Sequence, residues 1–210
     1  MTGTGSAAGT GAPASRRWKG GSQSATVGFV KILVLCGSLR AQSLNAALAR
    51  AVPELVPDGV AVLEYGRLDQ LPYFNQDVED VELPAEPARL RGLVAEAAAI
   101  VIACPEYAHG ASGIMKNALE WLVGGIELMG KPLALVSAST APTGGDRAQA
   151  WLRETLAVMG ADTLEPSVLV PTARKRIVDG VLVDPEVRDE LRDLLAVLVE
   201  RAAAAVESVA

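Results

Sequence analysis

From Val30 onward, short apolar runs alternate with amphipathic stretches along this chain. The runs VKILVLC (30–36), VAVLEY (60–65), IVIAC (100–104), PLALVSA (132–138) and the Pro-interrupted TLEPSVLV (163–170) are rich in Val, Ile and Leu and show little polar alternation. Such runs predict strands covered on both faces, as in a parallel sheet with crossover helices. Between them, SLNAALARAVPEL (43–55), PARLRGLVAEAAA (87–99), SGIMKNALEWLVGG (112–125) and GGDRAQAWLRETLAVMG (144–160) repeat apolar residues at helical spacing. Strands alternating with helices in this way predict an α/β fold, a single doubly wound five-stranded parallel sheet sandwiched by helices.

The C-terminal part fits the same plan. In RIVDGVLVD (176–184), Asp179-Gly180 separates two β-rich trios and predicts a hairpin turn. The next stretch starts with Asp184 as a cap and Pro185 in the first turn, and Val187, Leu191, Leu194 and Leu198 form a stripe that closes the core. Residues 1–27 break the pattern, being mostly Gly, Ala, Ser and Thr, too poor in large apolar groups to repay the entropy of ordering. The expected organisation is a flexible tail over 1–27 and one domain over 28–210. Within the tail, GTGSAAG has no strand before it and no amphipathic helix after it, so it does not read as a dinucleotide fingerprint. SRRWK is followed by GGSQSATVG rather than by the apolar region of an export signal.

Composition narrows the function. With half its residues hydrophobic but only 4% aromatic, the 210-residue chain must build its core from Ala, Val, Leu and Ile. The formal charge is −6 and the basic residues form no block beyond RRWK and ARKR, which argues against a nucleic-acid partner. Two cysteines and one histidine supply neither a disulfide framework nor a His/Cys metal set, so Cys36 and Cys104 read as small buried thiols. No apolar stretch approaches the ~20 residues of a membrane span. The expected location is cytoplasmic, without membrane or nucleic acid.

In an open parallel sheet, ligands bind outside the carboxyl ends of the strands. Three loops leave there. In GSLRAQSLN (37–45), Gly37 permits close approach of an anion, Ser38 and Ser43 offer hydroxyls, Arg40 is a bidentate partner for phosphate, and the following helix turns its free amides toward the site. The absence of GxxxxGK[ST] excludes a Walker loop. In CPEYAHGASGIMKNALEW (104–121), Pro105 stiffens the loop, Tyr107 brings a ring and a hydroxyl, and AHGASG is small enough for backbone amides to lie against a flat ligand. His109 has no adjacent nucleophile motif and no evident carboxylate to orient it, so it reads as a ligand or solvent contact and no side chain is assigned as a catalytic acid or base. Lys116, Asn117 and Glu120 read as capping and solvating residues, and Trp121 as core. The third loop, SASTAPTGGDRAQ (137–149), offers Ser137 and Ser139 as donors, an approachable backbone at Gly144 and Gly145, and Arg147 in the first turn of a helix.

GSLRAQSLN followed by PEYAHGASGIMKNALEW resembles the NAD(P)H-dependent FMN reductase family, flavodoxin-like proteins that include quinone, azo-dye and chromate reductases. The family patterns are GS-x-R-x-x-S-x-N and PEYN-x-x-x-PG-x-x-KNA-x-x-W, and LPYFNQD (71–77) and SASTAPTGGDRAQ extend the similarity. The resemblance implies FMN as cofactor and NADPH or NADH as co-substrate. It implies the FMN phosphate against Ser38, Arg40, Ser43 and Asn45. The ring is implied on Pro105, Glu106 and Tyr107, beside Ala108 and His109, and on the loop of Ser137, Ser139 and Gly145. It further implies hydride passage from the nicotinamide through FMN to a small-molecule acceptor, whether quinone-like, azo, metal-oxyanion or flavin, and a homodimer or homotetramer. Three alternatives stay open: an FMN electron carrier that does not react with NAD(P)H, a reductase releasing reduced FMN to a partner monooxygenase, and a flavin-free module on the same fold. The chain departs from the pattern at Ala108, where the family often has Asn, and at Ser112, which replaces Pro.

Overall fold

The computed structural model describes residues 30–207; the expected tail at 1–27, with GTGSAAG and SRRWK, lies outside the described residues. In chain order the elements are β1 (Lys31–Cys36), α1 (Leu44–Leu55), β2 (Ala61–Tyr65), α2 (Gln76–Val81), α3 (Ala85–Glu96), β3 (Ala99–Ala103), β4 (Glu106–Tyr107) and β5 (Gly110–Ala111). They continue as α4 (Gly113–Val123), β6 (Pro132–Ala138), α5 (Asp146–Val158), β7 (Asp162–Thr163), β8 (Val168–Val170), β9 (Ile177–Val178), β10 (Val181–Leu182) and α6 (Pro185–Glu207).

The main sheet runs β2-β1-β3-β6, and β7 and β8 share the far edge of β6, every pairing being parallel. This is the doubly wound flavodoxin-like order, whose switch point lies between β1 and β3. Five strand positions were expected, and the fifth is filled by two short strands in place of one. Pro166 has no N–H to give the ladder, and 165–167 leaves it after Leu164 N donates to Leu133 O at 2.8 Å, a break that an edge strand tolerates.

The continuous apolar runs are explained by two cores, one on each face of the sheet. Ile32, Val34, Val101 and Val136 point to one face, where Leu48 and Val52 of α1 and Leu191 and Leu195 of α6 cover them. Leu33, Leu35, Ile100, Ile102 and Leu135 point to the other, under Leu90 of α3, Met115, Leu119 and Trp121 of α4 and Leu152 of α5. Period-two alternation is therefore present, but both sets are apolar. The sheet partner of Cys36 is Ala103, so Cys36 packs toward the first core while Cys104 packs in the second. The thiols face opposite sides of the sheet and both are free; burial pushes both thiols up from their ordinary pKa.

The expected caps and turns are in place. Asp184 Oδ1 accepts from Val187 N at 3.2 Å at the start of α6. Asp179 and Gly180, with φ of 49° and 78°, join β9 to β10 in the two-residue turn whose twist suits a hairpin.

Candidate functional site

At the end of β1 the chain lies directly on the start of α4. A Cβ on Gly37 would come within 2.9 Å of Ser112 Oγ and 3.0 Å of Cys104 Sγ, so only glycine fits this approach. Ser43 then caps α1, its Oγ accepting from Ala46 N at 3.2 Å. Between the two, the backbone N–H groups of residues 38–42 find no acceptor among the described residues. The Ser38 Oγ is buried with no hydrogen-bond partner, and the exposed Arg40 guanidinium makes no ion pair among the described residues. An orphaned hydroxyl, open amides, a free guanidinium and a helix N-terminus converge on one loop. That donor set fits a phosphate group.

Asn45 does different work. It is 3% exposed; its Nδ2 donates to Ala138 O at 2.9 Å and its Oδ1 accepts from Ala138 N at 3.0 Å. The amide thus clamps α1 to the end of β6, holding the first loop in register with the third. The expected direct phosphate contact by Asn45 gives way to this positioning role, because both ends of the amide are already paired in the interior.

The second loop folds into a hairpin. Tyr107 pairs with Gly110 across β4 and β5, and the turn residues Ala108 and His109 have φ of 49° and 62°. Two consecutive positive φ values define the turn that favours Asn-Gly, so Ala108 and His109 hold it under strain of about 1–3 kcal/mol each. The Asn of the family pattern at the position of Ala108 is thereby explained as a turn preference. The hairpin docks on the N-terminus of α5: Glu106 Oε2 accepts from Arg147 N at 3.2 Å, and Arg147 Nη1 donates to His109 Nδ1 at 2.7 Å. Arginine only donates, so the neutral His109 ring carries its proton on Nε2. Glu106 Oε1 lies 3.4 Å from the same Nδ1, which corrects the expectation that no carboxylate stands beside His109.

The third loop is built from beneath by a residue expected to be a donor to the ligand. Ser137, 1% exposed, donates to Gly144 O at 2.7 Å and receives Gln149 Nε2 at 3.3 Å. Gly145, at φ 99°, packs so closely on it that a Cβ would stand 2.9 Å from Ser137 Oγ. Ser137 and Gly145 therefore set the shape of the loop, while Ser139, half-buried, accepts from Ala141 N at 3.1 Å at its rim.

Two clefts flank Arg40. One, of about 740 Å³, is largely apolar and runs between Tyr107, Ile114 and a strap at 71–75 that carries Leu71 and Tyr73. The strap is pinned by α4. Asn117 Oδ1 accepts from Phe74 N at 2.8 Å, Asn117 Nδ2 donates to Pro72 O at 3.0 Å, and Trp121 Nε1 donates to Pro72 O at 2.8 Å. Asn117 was expected only to cap or solvate its helix, whereas it builds the cleft wall; the available signal was a polar residue one turn before Trp121 on an apolar helix face. The other cleft, of about 820 Å³, lies toward the β9–β10 hairpin. Among the described residues no cluster of His, Cys, Asp or Glu is arranged to hold a metal ion, and no helix is long and apolar enough to cross a membrane.

The model of the family described as NADPH-dependent FMN reductase matches residues 30–175. An NAD(P)H-dependent FMN reductase of Pseudomonas aeruginosa is 33% identical over 173 residues, covering 80% of this chain and 93% of that one. A quinone reductase of Escherichia coli is 33% identical over 135 residues, covering 63% of this chain and 72% of the relative. In three dimensions the chain is similar to FerB, a flavoenzyme NAD(P)H:(acceptor) oxidoreductase from Paracoccus denitrificans, with a TM-score of 0.74, 25% identity, and 82% and 97% of the two chains covered. This chain belongs to the NADPH-dependent FMN reductase family. It is an oxidoreductase of the FMN-using, NAD(P)H-dependent kind.

Proposed function

We propose that this protein is a cytoplasmic FMN-dependent NAD(P)H reductase whose acceptor is a flat, quinone-like molecule, with azo compounds, metal oxyanions and free flavin as further acceptors. Its FMN-binding unit is residues 28–210. The observation that carries the reading is the buried, unpartnered Ser38 hydroxyl, set among open amides in a loop whose Gly37, Leu39 and Arg40 line an apolar cleft of about 740 Å³. Ser38, Arg40 and the 38–42 amides would hold the phosphate, with Ser43 capping the helix behind them. The Pro105-Glu106-Tyr107 segment, Ala108 and His109, and the loop at Ser139 and Gly145 would border the ring. The flavin, when bound, supplies two-electron exchange between a reduced nicotinamide and an oxidised acceptor.

The part played by the chain is to bind, orient and exclude water. Asn45, Ser137 and Gln149 hold the first and third loops rigid from below, and Asn117 and Trp121 hold the strap. The exposed rings of Tyr107 and Tyr73 flank the cleft and favour a flat aromatic acceptor. Val81, Val123, Ile126 and Met129 are exposed around the ends of α2 and α4, which supports self-association into a homodimer or homotetramer. Free, oppositely facing thiols agree with a reducing compartment.

The test is FMN affinity. Arg40→Ala should weaken FMN binding by about 1.5–3 kcal/mol, the worth of a hydrogen bond to a charged group. Titration of the apo protein with FMN, followed by flavin fluorescence, reads this directly, and an unchanged dissociation constant would remove the phosphate from this loop. Retention of the flavin through repeated turnover separates this reading from a reductase that releases reduced FMN.

A further inference from the structure

The cleft of about 820 Å³ on the far side of Arg40 is large enough for a nucleotide and differs in character from the apolar one. Three guanidinium groups line it, from three separate segments: Arg40 in the β1–α1 loop, Arg50 in α1, and Arg174 in the single helical turn before β9. Asp179 is the one carboxylate on its wall. The cleft is thus locally cationic in a chain of formal charge −6.

The three arginines are not equally committed. The guanidinium groups of Arg40 and Arg174 make no hydrogen bond or ion pair among the described residues. Arg50 Nη2 donates to Gly180 O at 3.0 Å, which holds the tip of the β9–β10 hairpin against α1 and fixes the cleft mouth while leaving its other N–H groups free. Ile177, Val178 and Val181 give an apolar wall suited to a purine and ribose. On the proposed function above, Arg40 serves the FMN phosphate. Arg50 and Arg174 then face a ligand that must bring further negative charge, and they outnumber Asp179. Because Arg40 stands in the walls of both clefts, a dinucleotide with its nicotinamide in the apolar cleft reaches the cationic one by passing the FMN phosphate site.

We infer that the cationic cleft takes the adenosine end of the reduced dinucleotide and that Arg174, supported by Arg50, reads its 2′-phosphate, so that this chain prefers NADPH to NADH. The inference rests on the proposed function, but its test has an arm that needs no flavin.

The experiment is calorimetric titration of the apo protein with adenosine 2′,5′-bisphosphate and with 5′-AMP, alongside FMN titration and steady-state kinetics with both donors, for wild type, Arg174→Ala and Arg174→Lys. The wild type should bind the bisphosphate at least about tenfold more tightly than AMP, and Arg174→Ala should weaken the bisphosphate by about 10- to 100-fold, as loss of a charge-assisted hydrogen bond does. The KM for NADPH should rise with that for NADH nearly unchanged, the FMN dissociation constant should not move, and Arg174→Lys should restore part of the loss. Equal affinity of the wild type for the two nucleotides, or an equal loss with both donors, overturns the inference. So does weakened FMN binding in Arg174→Ala, which would make the cleft the flavin phosphate site. Failure of the proposed function looks different, since wild-type protein would then bind no FMN while the bisphosphate arm still decides the cleft.

Discussion

Replacing Asn45 by alanine distinguishes a clamp from a ligand. The side chain makes two hydrogen bonds to one residue, Nδ2 to Ala138 O at 2.9 Å and Oδ1 from Ala138 N at 3.0 Å, and Asn45 and Ala138 are 3% and 4% exposed. Water cannot replace the lost partner without opening the junction of α1 and β6. Each of the two stranded backbone groups therefore costs about 1–3 kcal/mol, so the pair costs about 2–6 kcal/mol, to which the small cavity adds. Against a stability of about 5–15 kcal/mol for a domain of this kind, that is a large fraction. Urea unfolding of the flavin-free protein, followed by far-UV circular dichroism, measures it as a lower midpoint at unchanged slope. Asn45→Asp should be at least as damaging, because a carboxylate oxygen then faces the Ala138 carbonyl. If apo Asn45→Ala lost less than about 1 kcal/mol while its FMN affinity collapsed, the side chain would be a direct ligand and the clamp argument would fail.

Two further predictions concern strain and pH. Ala108→Asn should raise the stability of the apo protein by up to about 1 kcal/mol, since Asn tolerates the positive φ of this turn better than Ala; a lowered melting temperature would show that the turn is not strained there. Burial and the hydrogen bond to Glu86 push the Tyr65 phenol from 10.0 up to about 12, so the fold favours its neutral form. Its contribution is complete below pH 10 and is lost as pH rises from 10 toward 12, so Tyr65→Phe should flatten the alkaline fall in urea midpoint; equal slopes in the two proteins would refute the assignment.

Much of the architecture was legible because the strands are covered on both faces, which makes each one a nearly unbroken apolar run. What escaped was short or held by distant contacts. The split of the fifth strand turns on Pro166, whose missing N–H reads equally well as an edge residue of one strand. The six-residue α2 and the β4–β5 hairpin carry too few apolar positions for any period to register. In the candidate site, residue types and spacing mark three loops at one edge of the sheet, yet Asn45 and Ser137 read there as ligand donors while their polar groups are paired within the scaffold. A polar side chain beside a glycine turn looks the same in sequence whether it faces a phosphate or, as with Asn45, a backbone group 93 residues away. Ser38 is the reverse case, a hydroxyl whose lack of any partner appears only once the fold encloses it.

The central claim is that this chain binds FMN and reduces it with a nicotinamide nucleotide. The most direct measurement is an anaerobic visible spectrum of FMN-loaded protein freed of unbound flavin, recorded before and after adding NADPH and then, in a separate sample, NADH. The expected result is a flavin band that stays with the protein and bleaches rapidly, faster with NADPH. Bound flavin that neither nucleotide bleaches would make the protein an electron carrier, and protein that retains no flavin at all would contradict the account.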